Sequence, residues 1–332
     1  MIALRRFLRL APLGILTLLP LGACSSDVDT TSGSGGDGGA ATTTGPEPSA
    51  SSMGVGPQTS TGAGPKALTV ATWNVLNLID EKKNSGVPFE DVDPNYPAHR
   101  AEIATVVDTL RPDVFMLQEV ESQAVLDALN GVLDKKFAYT KLIDGNDPRG
   151  IDVAILSDYP FDKVVSHKSD KFLKKGTSSP TYNYARDCLE VHMTVNGRHV
   201  VMLGVHFKSK DSDDPDKRLA EAQHTRVIAN GLAKADPTAA ILMLGDFNDA
   251  PGTATMQAVM DGTPPFLGVA DAVPENDRWT YKYAGKVFLI DQILANPLVY
   301  DMLDPATVSI PHTNAVTKAS DHAPVRATFR ID

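Results

Sequence analysis

Six stretches of this chain place a residue able to hold a metal ion or move a proton beside the end of a strand-like run or inside one: Asn74, Gln118-Glu119, His206, Asp246-Phe247-Asn248, Asp291, and Ser320-Asp321-His322. Carboxylates and side-chain amides offer hard oxygen atoms to divalent cations, and imidazole titrates close to neutrality. Metal-assisted chemistry with proton transfer is therefore the chemistry that these residue types could do together. Taken singly they are unremarkable, since Asp246-Asn248 could be an Asx turn and Asp321-His322 a surface pair. Six in series, five of them beside strand ends and Asp291 inside its apolar run, favour a shared site.

Strands must carry these residues to one place. Alternation and β-branched content predict them at residues 66–73, 113–117, 137–142, 152–156, 188–195, 199–206, 239–244, 280–283, 288–294 and 325–331. Asn196-Gly197 predicts a tight hairpin between two of them. Helical spacing of Ile103, Val106, Val107 and Leu110 predicts a helix over 98–110, halted at Arg111-Pro112. Further helices are expected at 122–133, with Ser122 as N-cap, and at 216–234 and 254–260. Hairpin-linked strands with helices between them predict an α/β fold with a sheet-on-sheet core and helices outside.

The first 65 residues read differently. Arg5, Arg6 and Arg9 precede an apolar run from Leu10 to Leu21, which is the pattern of a signal peptide over 1–23 and is short for a bilayer span. Leu21-Gly22-Ala23-Cys24 resembles a bacterial lipobox, which implies lipidation of Cys24, membrane attachment and sorting to the outer membrane or cell surface; an ordinary secretory cleavage is the alternative. Residues 24–65 are almost wholly small and polar, so they predict a disordered tether with a reach of roughly 35 Å. The folded part, 66–332, then holds 28 basic and 37 acidic residues, a net of −9. That balance argues against broad electrostatic binding of nucleic acid, yet a carboxylate-rich metal site accounts for several of the negatives. With Cys24 spoken for, Cys188 is alone, so no disulfide is expected and a buried apolar role suits it.

Thr72-Trp73-Asn74-Val75, Leu117-Gln118-Glu119-Val120, Gly204-Val205-His206-Phe207-Lys208-Ser209, Gly245-Asp246-Phe247-Asn248, Ile290-Asp291-Gln292-Ile293 and Ser320-Asp321-His322 together resemble the endonuclease/exonuclease/phosphatase superfamily, from about Leu68 to Arg330. Arg149-Gly150-Ile151-Asp152-Val153-Ala154 and Asn248-Asp249-Ala250-Pro251 are similar to its bacterial secreted nuclease branch. The resemblance implies a four-layered α/β sandwich of two mixed sheets and a metal-dependent phosphodiesterase. Such hydrolysis needs charge neutralisation on the phosphoryl oxygens, an activated water and a protonated leaving oxygen. Glu119 is the best metal ligand, supported by Asn74 and by Asp246 or Asp321, with Mg²⁺ as the expected ion and Mn²⁺ or Ca²⁺ as alternatives. The resemblance makes His322 the base that activates water, Asp291 its orienting carboxylate, and Asp246 with Asn248 the groups that orient nucleophile or phosphate. His206 would protonate the leaving group or hydrogen-bond the phosphate, with Asp152 as its carboxylate partner. Arg186 fits a phosphate clamp and Lys208 a second one, although an ordinary ion pair suits Arg186 almost as well. The remaining histidines, His99, His167, His192, His199, His224 and His312, read as structural or solvated.

Leu76 stands where some relatives carry a polar residue, and Gln292 follows Asp291 where His is common. Fold and core chemistry do not choose a substrate. Nucleic acid is the leading expectation, processed by a monomer; a phosphatase or sphingomyelinase-like phosphodiesterase and a non-catalytic surface binding protein are the alternatives. A lipid-directed enzyme should expose an apolar hairpin, and none stands out in the sequence. The lysines of 163–175 (Lys163, Lys168, Lys171, Lys174, Lys175) offer either a basic groove or a solvated loop.

Overall fold

Residues 66–83, 87, 89 and 91–331 are described by the structure, a computed structural model; the expected signal peptide, Cys24 and the tether lie outside the described residues. The strands in chain order are β1 (Lys66–Leu78), β2 (Val114–Val120), β3 (Tyr139–Leu142), β4 (Asp152–Ser157), β5 (Lys163–Ser166), β6 (Phe172–Leu173), β7 (Thr181–Tyr182), β8 (Cys188–Val195), β9 (Arg198–His206), β10 (Ala240–Asp246), β11 (Leu267–Gly268), β12 (Tyr281–Tyr283), β13 (Lys286–Phe288), β14 (Asp291–Ala295), β15 (Leu303–Ser309) and β16 (Val325–Ile331). The helices are α1 (Tyr96–Leu110), α2 (Gln123–Val132), α3 (Pro215–Ala235), α4 (Ala254–Met260), α5 (Pro297–Tyr300) and α6 (Asn314–Ala319).

Two mixed six-stranded sheets run in the orders β15-β16-β1-β2-β4-β3 and β11-β14-β10-β9-β8-β5. Each is built around one parallel pair, β1 with β2 and β9 with β10, flanked by antiparallel neighbours. In each sheet this brings the carboxyl ends of the parallel strands to the same edge as the amino end of an antiparallel neighbour, β16 in the first and β14 in the second. Period-two burial stacks the sheets. Val200 and Met202 of β9 join the core shared with the first sheet, while Val201, Leu203 and Val205 join a second core with Ala220, Ala222 and Ala229 of α3 and Met256 and Val259 of α4. Helices α1 and α2 cover the far side of the first sheet through Ile103, Val106, Val107, Leu126 and Leu129. The result is the four-layered α/β sandwich, with each fully buried aliphatic side chain stabilising it by about 1.5–3 kcal/mol. Gly204 lets the sheets approach closely, since a Cβ there would stand 2.4 Å from Met116 Sδ and 3.0 Å from Val153 Cγ1.

Three expectations change. The lysine-rich stretch begins as edge strand β5 and runs through a turn into the β6–β7 ribbon. Lys163 pairs with Glu190 at 3.4 Å, Lys174 with Asp216 at 2.6 Å, and Lys168 donates to the Asp144 carbonyl. The strand expected at 288–294 is broken, because the Thr280 hydroxyl accepts from Ile290 N at 3.1 Å and from Asp291 N at 3.0 Å, taking those amides out of any ladder. β15 and α6 were not anticipated. Ser122 does cap α2, accepting from Val125 N at 3.2 Å, and Cys188 is buried. Among the described residues no helix is long and apolar enough to cross a membrane.

Candidate active site

Both strands of the first sheet's parallel pair lose register where their polar residues sit, between Asn74 and Leu78 on β1 and between Gln118 and Val120 on β2. Glu119 takes a left-handed φ of 69°, and Leu76 and Asn77 take 55° and 53°. Such backbone strain costs on the order of 1–3 kcal/mol per residue and persists where the surroundings hold it. Here those surroundings hold Glu119: its Oε2 accepts from Asn77 N at 2.9 Å and its Oε1 from Asn74 Nδ2 at 3.2 Å. The same amide donates to Asp246 Oδ2 at 3.1 Å, which ties the edges of the two sheets together. Asn74 Oδ1 accepts from Leu76 N at 3.1 Å, so the apolar side chain at position 76 leaves its backbone serving the site.

Opposite, His322 Nδ1 lies 2.8 Å from Asp291 Oδ2. The loop before β16 is locked by Ser320, whose hydroxyl donates to Asn74 O at 2.8 Å and accepts from His322 N at 3.0 Å, while Trp73 Nε1 donates to His322 O at 2.9 Å. Thr280 fixes Asp291 by accepting its N–H. Burial disfavours a charged His322, but the charge and hydrogen bond of Asp291, then Asp246 and Asp321, push it up to about 10. Asp321 itself is only 3.9 Å from His322 Nε2, and burial raises its carboxyl.

His206 is opposite Asp246 across the β9–β10 pair. Its Nε2 lies 3.6 Å from Asp246 Oδ2 and 3.8 Å from Glu119 Oε1, and its Nδ1 is buried without a hydrogen-bond partner. Burial, then the charges of Arg186, Arg149 and His322, hold it well below the usual imidazole range, so the ring is neutral. Of the two roles expected for it, hydrogen bonding to phosphate suits a neutral ring better than proton donation. Gly245 shapes the approach to Asp246: at φ 139° a Cβ would stand 2.0 Å from Val205 O. Asn248, left-handed at φ 53°, closes the turn by donating its backbone N–H to Asp246 Oδ1 at 2.8 Å and its Nδ2 to Phe207 O at 3.0 Å.

Two expected residues, Asp152 and Lys208, turn away, and a third, Arg186, lies beside the site with its donors engaged by protein groups. Asp152 does not hydrogen-bond His206. Its Oδ1 accepts from Gly145 N at 2.6 Å, and burial, with Asp144, Asp147 and Asp187 adding to it, pushes it up to about 7. Lys208 turns onto its own loop, donating to Ser209 O at 3.2 Å and Asp211 O at 2.6 Å. Arg186 is buried, with Nη1 donating to Phe207 O at 3.1 Å; its Nε lies 2.8 Å from Asp147 Oδ2 as an ion pair, although that N–H is not aimed at the oxygen and makes no hydrogen bond. Asp147 also receives Arg149, through Nε at 3.1 Å and Nη2 at 3.2 Å. Arg149 feels the Glu119 charge and keeps 36% of its side chain exposed, which makes it the accessible cation of the site. The motif around Gly150 contained it, but nothing in the sequence distinguished it from an ordinary loop arginine. Tyr281 was also missed; its ring packs 4.8 Å from that of His322.

The donor set fits a divalent ion. Asp246, Asp291 and His322 present ligand atoms within 4.8 Å of one another, but His322 Nδ1 is already taken by Asp291. Glu119 and Asp246, joined through Asn74 Nδ2, offer further carboxylate oxygens beside that group, and Asp321 lies 3.9 Å from His322 Nε2. Burial raises both Asp246 and Asp321, and the neighbouring charge of Asp291 adds to it in each, with Glu119 adding at Asp321, against the opposite pull of His322. A bound cation would relieve that repulsion.

A hard-cation cradle beside a histidine–carboxylate pair, on the shared edge of two stacked sheets, defines a metal-dependent phosphodiesterase. The sequence agrees: the profile of the Endonuclease/Exonuclease/phosphatase family matches residues 69–310, and the chain belongs to that family. No curated protein matches it in sequence. Among solved structures it is similar to truncated TDP2 of Caenorhabditis elegans, at 17% identity and a TM-score of 0.56 over 80% of this chain and 97% of that one. It is similar to an endonuclease/exonuclease/phosphatase family protein of Bacteroides thetaiotaomicron at 17% identity and 0.56, over 80% and 96%. TDP2 of D. rerio, solved in complex with a single-strand DNA product, is 17% identical with a TM-score of 0.52, over 79% and 98%. At these identities the likeness is one of fold.

Proposed function

We propose that the protein is a Mg²⁺-dependent nuclease, acting on DNA or another nucleic acid as a monomer, exported and held at a membrane by lipid on Cys24. The observation that carries the reading is the Asn74 amide, which bridges Glu119 and Asp246 and so sets a cation cradle against the His322–Asp291 pair. Mg²⁺ suits this set of few, hard oxygen ligands, and when bound it neutralises charge on the phosphoryl oxygens. Arg149 and the neutral His206 supply donors for the remaining oxygens. Asp291 holds the His322 ring by Nδ1 and leaves Nε2 facing the cleft. There Nε2 would take the proton of the attacking water, and a bound cation would lower the ring's basicity toward the range this needs. Asp246 and Asn248 orient nucleophile or phosphate from the turn after β10. Nucleic acid is favoured as substrate by the likeness to a TDP2 solved with DNA.

The test is cleavage of closed circular plasmid by the purified protein with Mg²⁺, alongside an EDTA control and His322→Ala. Nicking that requires both metal and His322 supports the reading. An intact fold with no cleavage of any nucleic acid, but turnover of a small phosphate ester, overturns the substrate.

A further inference from the structure

The site continues outward along a short ribbon. β12 and β13 pair Tyr281 with Phe288, Lys282 with Val287, and Tyr283 with Lys286, and the turn Ala284-Gly285 has both φ angles positive, 48° and 78°, as a two-residue hairpin requires. Side chains alternate across a strand, so Tyr281, Phe288, Tyr283 and Lys286 share one face. The tip is open to solvent, with Tyr283 66% and Val287 50% exposed. An exposed tyrosine and valine on a two-stranded ribbon stabilise no core, so folding does not explain them.

The base of this ribbon is joined to the reacting groups. Thr280 N donates to Phe288 O at 2.8 Å, Ala323 N donates to Thr280 O at 2.6 Å, and the Thr280 hydroxyl holds Asp291 N. Tyr281 bridges to His322 through the backbone and packs its ring on the imidazole. Whatever lies on the aromatic face is therefore held in fixed register with His322. The rings of Tyr281 and Tyr283 are parallel within 7° with centroids 6.4 Å apart, near twice the thickness of an aromatic ring. Lys282 and Lys286 make no ion pair among the described residues, in a folded part whose net charge is −9.

We propose that the ribbon Tyr281–Phe288 is a stacking platform for an unpaired base of single-stranded nucleic acid adjoining the scissile phosphate, with Lys286 on the neighbouring backbone phosphate. The proposal rests on the phosphodiesterase reading of the site and names its substrate class. Stacking suits every base, because every base has a π-face, and a lysine beside the rings neutralises the backbone without reading sequence. A duplex would first have to give up the stacking of its own base to use such a platform.

The experiment compares wild type, Tyr283→Ala, Tyr283→Trp and Lys286→Ala on bis(4-nitrophenyl) phosphate and on a 12-nucleotide single strand carrying 2-aminopurine. Tyr283→Ala should weaken binding of the strand about tenfold and abolish 2-aminopurine quenching. Turnover of the small diester should stay at the wild-type rate, and Tyr283→Trp should restore binding. Equal strand binding by wild type and Tyr283→Ala, with diester turnover intact, overturns the platform alone; absence of turnover of either substrate by wild type overturns the phosphodiesterase reading beneath it. Binding to phosphatidylcholine–sphingomyelin vesicles that is lost in Tyr283→Ala, with strand binding unchanged, also overturns it and makes the ribbon a lipid contact.

Discussion

A chain of histidines and carboxylates outside the catalytic edge gives a quantitative test of the electrostatics. His224 Nε2 and His167 Nδ1 each lie 2.9 Å from Asp170 Oδ2, and His167 Nε2 lies 3.2 Å from Glu190 Oε2. His192 Nε2 is 2.7 Å from Glu190 Oε1, His192 Nδ1 is 2.9 Å from His199 Nε2, and His199 Nδ1 is 2.8 Å from Asp236 Oδ2. Glu190 is the hub. Burial alone would raise its pKa, but hydrogen bonds and charge from His167 and His192 bring it from 4.5 to about 2. At about 1.4 kcal/mol for each tenfold change in proton affinity, that fall is worth about 3 kcal/mol. Lys163, 60% exposed beside it, shows that water reaches the rim, and screening leaves about 2 kcal/mol. A depressed carboxylate contributes stability that is present in full above 4.5 and lost as pH falls through about 2. His167 has the opposite sign: held above 6.5 by Glu190 and Asp170 against its burial, it contributes below 6.5 and loses that as pH rises through its raised value. Glu190→Gln removes the charge and leaves one imidazole facing an amide N–H. The variant should lose about 2 kcal/mol in urea unfolding at about pH 6 and melt roughly 5 °C lower, with the deficit shrinking by about pH 9. A loss below about 0.5 kcal/mol at pH 6, or an equal loss at pH 9, would refute the reasoning.

At the active edge, Glu119→Ala and His322→Ala should each cut turnover by at least about 10³-fold with unchanged circular dichroism; either one near wild-type rate sinks the assignment. Mg²⁺ at about a hundred times its Kd should stabilise the protein by about 2.7 kcal/mol in thermal melts, and Glu119→Ala should show no such gain. Asp291→Asn keeps a hydrogen bond to His322 Nδ1 but favours the wrong tautomer, so kcat should fall by several orders of magnitude while KM moves little; matched changes in both would point to lost binding instead. Gly204→Ala drives a methyl onto Met116 and should cost about 1–3 kcal/mol in urea unfolding without altering metal dependence.

The candidate edge was legible because its residues lie in or beside strands that apolar alternation marks: Asn74, Glu119, His206, Asp246, Asp291 and His322 are all brought together there. Side-chain direction was not legible. Lys208 lies one residue from a strand extension yet folds onto Ser209 and Asp211, and Asp152 begins β4 yet turns to Gly145, because local backbone donors and acceptors outcompete a distant site. Arg149 entered through Asp147, a carboxylate shared with Arg186 whose position no periodicity encodes. Among the elements, β15 was hidden by Pro305, which edge strands tolerate and central strands do not. The break before β14 depended on one threonine hydroxyl ten residues earlier in the chain. The misses at Arg149 and before β14 are contacts with other side chains that override a local pattern.

The two histidines of the site show why residue type alone could not assign roles. Both are buried, and burial works against the charged form of each. His322 escapes that penalty because Asp291 sits on its Nδ1 and Asp246 and Asp321 lie nearby, so it keeps a high proton affinity. His206 has no carboxylate within hydrogen-bond distance: its Nε2 stands 3.6 Å from Asp246 Oδ2 and 3.8 Å from Glu119 Oε1, its Nδ1 is unsatisfied, and Arg186, Arg149 and His322 oppose a proton on it. Environments that push two like groups apart divide the labour of acid–base chemistry. The asymmetry originates in the strand register, which puts His322 beside β14 and its Asp291, and His206 on the arginine side of the cleft. A cation, if held at Glu119, would act on both rings in the same direction and favour the neutral form, which would suit a hydrogen-bonding role for His206 and a proton-accepting one for His322.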